Sequence, residues 1–193
     1  MRIIVMGSTR GTSLDGILDS DLREHICMIV SDKLDAPILK KGRIHNIKTY
    51  AQVSISESRV DYDKKMVKVL KEEKPDVILM IGYMRIVSDH FVESFKGKML
   101  NIHPSLLPKF GGLMDLKVHE AVLDANETES GCTIHQVTEQ VDDGEIVLQL
   151  KCNIDVNETP LTLKEKIQKL ERQAWIKIVK NMVNNKGEIL CNH

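Results

Sequence analysis

The sequence predicts an α/β fold: a doubly wound, mostly parallel open sheet that ends in a C-terminal hairpin and a long final helix. Three observations carry this. Short apolar runs alternate with helix-like segments over the first hundred residues, the pattern of βαβ units. The run Val77 to Ile81 is apolar without alternation, as a strand covered on both faces must be. The last third changes character, with two strand-like runs joined by a polar turn and then a helical stripe.

The elements follow in order. Arg2 to Met6 reads as the first strand, and the turn GSTRGTS leads into a helical stretch, Leu14 to Leu18. Ile26 to Val30 is the second strand, Lys33 to Lys41 a helix stopped at Gly42, and Asn46 to Tyr50 the third strand. Ser58 with Asp61 fits a capping box, and Tyr62, Met66 and Leu70 mark one face of a helix that should end before Pro75. A short helix over Ser88 to Phe95 leads into the strand Met99 to Ile102. Cys132 to Val137 and Glu145 to Ile154, separated by TEQVDDG, read as a hairpin. Thr162 and Glu165 suggest another capping box, and Leu163, Ile167, Leu170, Ala174 and Ile178 draw the apolar stripe of the last helix. The closing GEILCNH reads as a short tail.

The bulk numbers agree with one domain over residues 1–193, since 42% hydrophobic and 28% charged residues suit an ordinary globular core. A net charge of −1 and 4% aromatic residues give no basis for nucleic acid or an anionic membrane as a partner. Cys27, Cys132, Cys152 and Cys191 are spaced for neither a disulfide framework nor zinc knuckles. Cys132 and His135 form a single CxxH pair, which fits strand packing better than a metal site. The first apolar run is too short for a signal core or a membrane span, so a cytoplasmic setting is expected.

Four segments could carry chemistry. The turn Gly7 to Leu14 can aim backbone N–H groups at an anion; it matches neither a dinucleotide nor a Walker pattern, so a single phosphate monoester fits it better, with a ligand-free tight turn as the alternative. Asn101 and His103 share parity at a strand end. An amide there can donate to a developing oxyanion and an imidazole can carry a proton, although a capping Asn beside a half-buried His would look the same. VDDGEI supplies turn residues, one of which could stabilise an imidazolium at His103. The segment Tyr83 to Val87 follows the buried strand and could form an apolar wall for a flat heteroaromatic ligand, or only a loop. A serine nucleophile at Ser105, with His103 or His119 as base, lacks the GxSxG elbow.

Taken together, NIHPSLLP, GYMRIVS before it and VTEQVDDGEIVLQ after it resemble the folate-dependent formyltransferases, over nearly the whole chain. Within that family the likeness is greatest to members that formylate glycinamide ribonucleotide in purine biosynthesis. The resemblance implies a Rossmann-like fold and N10-formyltetrahydrofolate as co-substrate, with no metal. It implies Asn101, His103 and Asp142 as catalytic residues, with Asp143 the alternative carboxylate. It implies a phosphate loop at Gly11, Thr12 and Ser13, where Ser13 replaces the family's usual Asn. Gln168 and Glu171, three apart on one helical face, would contact the ribonucleotide. Arg59, Met84, Arg85, Ile86, Val87 and Asn101 would contact the folate.

The chain departs from the family around Gly111 to Lys117, which carries about three extra residues before a His-bearing helix; His119 is left without a role, and the extra residues are expected at the mouth of the pocket. The expected partners are small molecules, with the protein a monomer or weak homodimer. The rivals are a tRNA formyltransferase or a formyltetrahydrofolate deformylase, whose usual additional domains would not fit this length. A non-catalytic phosphometabolite- or folate-binding module is a rival of another class, and the presence of all three catalytic residue types argues against it.

Overall fold

A computed structural model describes residues 1–185; the closing GEILCNH lies outside them. The chain builds a seven-stranded sheet from β1 (Ile3–Met6), β2 (Ile26–Ser31), β3 (Lys48–Ala51), β4 (Val77–Met80), β5 (Met99–His103), β6 (Glu129–Gln136) and β7 (Ile146–Asn153). Their spatial order is β3-β2-β1-β4-β5-β6-β7. The first five strands run parallel and β6 runs antiparallel to both its neighbours, β5 and β7, so the expected mostly parallel sheet with its C-terminal hairpin is what forms. The connecting helices are α1 (Asp15–Leu18), α2 (Pro37–Ile44), α3 (Arg59–Glu72), α4 (Asp89–Ser94), α5 (Leu116–Asp124) and α6 (Pro160–Asn184).

Alternation along β1 explains the layers. Ile3 and Val5 point to the face covered by α1, α2, α5 and α6, where Ile17, Ile38, Val122 and Trp175 pack. Ile4 and Met6 point to the face covered by α3 and α4, against Tyr62, Met66 and Phe91. Each large apolar side chain buried in this way contributes about 1.5–3 kcal/mol. The chain moves outward from β1 to β3 and returns to place β4 beside β1. Loops leaving β1 and β4 therefore diverge, and a crevice opens at the carboxyl ends of the strands.

Several boundaries differ from the sequence reading: β3 starts at Lys48 and not Asn46, and β6 at Glu129 and not Cys132. The second helix starts at Pro37, which sits in its first turn, and not at Lys33. It also runs through Gly42, whose bare Cα packs on the sheet: a Cβ there would stand 2.7 Å from Thr49 Cγ2. The final helix is capped by Thr159, not Thr162. Thr162 sits at its third position, and the two residues bond reciprocally, Thr162 N–H to Thr159 Oγ1 at 3.2 Å and Thr159 N–H to Thr162 Oγ1 at 2.9 Å. The Ser58 cap forms as expected, its Oγ accepting from the Asp61 N–H at 3.1 Å. No helix of the described residues is long and apolar enough to cross a membrane.

Candidate active site

A cavity of about 560 Å³ opens where the loops after β1, β4 and β5 meet the hairpin turn and α6. Its size and mixed lining suit a ligand as large as a drug molecule. The expected residues Gly11, Thr12, Ser13, Met84, Arg85, Ile86, Val87, Asn101, His103, Asp142, Gln168 and Glu171 all line it. Arg59 does not; it is exposed at the first turn of α3.

The β5 end is the most heavily cross-tied part of the cavity. His103 is 3% exposed. Its Nδ1 lies 3.1 Å from Asp142 Oδ2, and its Nε2 lies 3.0 Å from the Phe110 carbonyl. An ionised carboxylate and a carbonyl are both acceptors only, so satisfying the two contacts requires a proton on each ring nitrogen. Asp142 Oδ2 also accepts from the Gly112 N–H at 2.9 Å. Burial alone would raise the Asp142 carboxyl, but its contacts with His103 and His135 and the Gly112 bond outweigh burial and hold it far below the usual carboxylate range. Its neighbour Asp143 is exposed, so of the two turn carboxylates only Asp142 meets the imidazole.

His135 joins this cluster, and sequence reading had given it no catalytic place. Antiparallel pairing sets it directly across from Asn101. Its Nδ1 is 2.8 Å from the Gln136 carbonyl, which fixes the proton on that nitrogen. In the neutral ring Nε2 then accepts from Asn101 Nδ2, 3.2 Å away; Asp142 Oδ1 lies 3.5 Å from the same nitrogen, a contact that is favourable only when the ring is protonated. Holding Asn101 this way leaves its second amide hydrogen free for a ligand. The CxxH spacing hid this role because residues three apart on a strand face opposite ways: Cys132 packs into the core while His135 lines the cavity.

Ser105 is no nucleophile in this arrangement. It is fully buried, and its hydroxyl donates to the Lys109 carbonyl at 2.8 Å. The segment after it carries positive φ at Phe110, Gly112 and Asp115 and presents Gly112 to Asp115 to the cavity, so this stretch borders the pocket. Asp115 pairs across the mouth with Lys164 of α6. His119 also lines the cavity; burial, then the nearby Lys164, pulls it down to about 4, so it is neutral at physiological pH.

The other walls are built differently. Gly11 adopts φ +57, a conformation that disfavours side chains, and a Cβ there would stand 2.6 Å from Ile38. The β4 loop is tied to the β1 loop by Met84 N–H to Ser8 Oγ at 2.8 Å. Arg85 turns its guanidinium over the Tyr62 ring, 3.8 Å from the centroid, so that charge is engaged with α3. Met84, Ile86, Met114 and Val141 remain as exposed apolar side chains around the opening. On α6, burial pushes the Glu171 carboxyl up to about 7, partly offset by a hydrogen bond from Ser13.

Comparison with known proteins bears on this geometry. A family described as formyl transferase matches residues 1–179. Phosphoribosylglycinamide formyltransferase of Escherichia coli is 32% identical over 180 residues, covering 91% of this chain and 84% of that protein. The trifunctional purine biosynthetic protein adenosine-3 of Bos taurus is 37% identical over 179 residues, and there the chain spans 17% of the relative's length. Among solved structures, phosphoribosylglycinamide formyltransferase from Bacillus Halodurans superposes with a TM-score of 0.89 at 30% identity over 100% of both chains. Glycinamide ribonucleotide transformylase 1 from Symbiobacterium toebii gives 0.89 at 30% identity, over 96% of this chain and 88% of that one. The agreement runs from the first strand into the final helix, and the chain belongs to the formyl transferase family.

Proposed function

We propose that the protein transfers the formyl group of N10-formyltetrahydrofolate to the amine of glycinamide ribonucleotide, giving N-formylglycinamide ribonucleotide and tetrahydrofolate. The observation that carries this reading is the Asn101–His103–Asp142 cluster at one end of a cavity whose other end is a glycine loop suited to a phosphate. The apolar rim of Met84, Ile86 and Val141 fits a flat pterin and its aryl group, while Arg59, exposed outside the cavity, stays available for the folate's terminal carboxylates. Gly11, Thr12 and Ser13 would take the phosphate, and Gln168 and Glu171 the ribose.

The chemistry follows from these positions. The ribonucleotide's amine attacks the formyl carbon, a C–N bond forms, and the carbonyl oxygen takes up negative charge. Asn101 donates its free amide hydrogen to that oxygen. His103 Nε2–H donates as well, exchanging the Phe110 carbonyl for a far better acceptor. Asp142 holds the imidazolium in place through Nδ1 and stabilises its charge. As the bond to N10 breaks, the proton lost by the amine passes to N10 by way of His103 or a water in the cavity. The surrounding donors are fixed by strand pairing and a hairpin turn, so little reorganisation accompanies the step.

An absorbance assay of folate deformylation, run with and without glycinamide ribonucleotide, tests the reading. Ribonucleotide-dependent loss of the formyl group is expected. Equal loss in its absence would instead mark a hydrolase, and no loss under either condition a binding module.

A further inference from the structure

The loop carrying Gly11, Thr12 and Ser13 is gripped from behind by charges that the proposed reaction does not itself use. Lys41 of α2 donates from Nζ to the Gly11 carbonyl at 3.1 Å. Arg172 of α6 donates from Nη2 to the Thr12 carbonyl at 3.4 Å. Both cations share one carboxylate: Asp15 of α1 pairs with Lys41 through Oδ1 and with Arg172 through Oδ2, the latter at 3.5 Å. Arg172 can lie across α1 because residue 16 has no side chain; a Cβ on Gly16 would stand 2.5 Å from Arg172 Cγ.

Two consequences follow. In a trans peptide the C=O and N–H point opposite ways. The carbonyls of Gly11 and Thr12 accept from the Leu14 and Asp15 N–H groups of the turn, and the cations hold them on that side, which leaves the next N–H groups, those of Thr12 and Ser13, facing the opposite direction. The charges also do not cancel: two cations against one carboxylate leave a net positive charge behind a loop that lines the cavity. Each cation comes from a different helix, so the brace links α2, α1 and α6 at this point.

We propose that Asp15, Lys41 and Arg172 form a positioning brace that holds the loop amides toward the ribonucleotide phosphate and adds a long-range pull on it. The proposal rests on the phosphate assignment made above. None of the three touches the reacting atoms, so their effect belongs in recognition of the phosphorylated substrate and not in the chemical step.

The test is steady-state kinetics on the full chain, varying each substrate in turn, with ribose 5-phosphate as a competitive probe of the phosphate end. Lys41→Met and Arg172→Met remove charge and donor; Lys41→Gln and Arg172→Gln restore a donor without charge. Each Met variant should raise the ribonucleotide KM and the ribose 5-phosphate inhibition constant about tenfold, with kcat and the folate KM held within about twofold. The Gln variants should fall between. A folate KM that rises in step with the ribonucleotide KM, or an unchanged ribonucleotide KM, overturns the brace. Should a Met variant fail to fold, its Gln partner decides on the same two outcomes. Thr12→Asp separates this from the assignment beneath it. That change should raise the ribonucleotide KM far more than the folate KM, and equal effects would remove the phosphate assignment itself. A raised KM in Thr12→Asp beside unchanged values in the brace variants removes the brace alone.

Discussion

The parallel and antiparallel halves of the sheet meet the cavity with different materials. β1 and β4 end in loops that offer main chain and, from the β4 loop, the apolar side chains of Met84 and Ile86. Gly11 and Gly82 take positive φ, and the cation nearest the β4 loop, Arg85, is turned onto Tyr62. β5, β6 and the turn before β7 offer side chains: Asn101, His103, His135 and Asp142, joined by contacts of 3.1–3.5 Å. The cause is the pairing. Antiparallel neighbours place residues directly opposite each other, as Asn101 faces His135, and a hairpin turn then brings Asp142 back over the same strand ends. Parallel neighbours are joined by long crossovers, so their strand ends present separate loops. In the proposed reaction the main-chain half would hold ligands and the side-chain half would move protons and charge.

That division can be broken from the side-chain half downward. Asp142→Asn should keep the hairpin but lose the charge facing His103, and formyl transfer should fall on the order of 10²–10⁴-fold with ligand affinities little changed; a fall confined to KM would place Asp142 in binding. Asn101→Ala removes an oxyanion donor, and a loss in kcat on the order of 10²–10³-fold is expected from the same assay. His135→Phe keeps the ring's bulk and frees the Asn101 amide. Turnover should drop about tenfold, the scale of one hydrogen bond's orienting effect, and full activity would show that Asn101 needs no such support.

A separate effect is one of pH on stability. Glu171 sits at about 7 in the folded chain, above the ordinary carboxylate value near 4.3. The folded state therefore keeps a proton that the unfolded state releases, and stability declines as pH rises across that window. Glu171→Gln removes the decline. The Tm of the variant minus that of the parent should be larger at pH 8 than at pH 5, and a flat difference would show that Glu171 ionises freely.

Much of this was legible in the sequence. β-branched runs, Pro75 and the Ser58 cap mark local events that depend on neighbours a few residues away, and the mostly parallel sheet follows from alternation of elements. Asn101 and His103 stood out because two polar groups of equal parity at a strand end are unusual. His135 did not, because its partner lies 34 residues away and only the β5–β6 register brings them together. The Lys41–Asp15–Arg172 contacts are hidden for the same reason, being long-range meetings of ordinary surface residue types. The choice between Asp142 and Asp143 needed the turn itself, where Asp142 takes φ +56 and points inward while Asp143 stays exposed.

The central claim is that His103, braced by Asp142, works in the transfer step. Single-turnover formyl transfer by His103→Ala, with both substrates saturating and their dissociation constants measured separately, addresses it most directly. A loss of about 10³-fold in the transfer rate is expected, with both dissociation constants within a few-fold of the parent. Transfer at close to the parent rate would contradict the account.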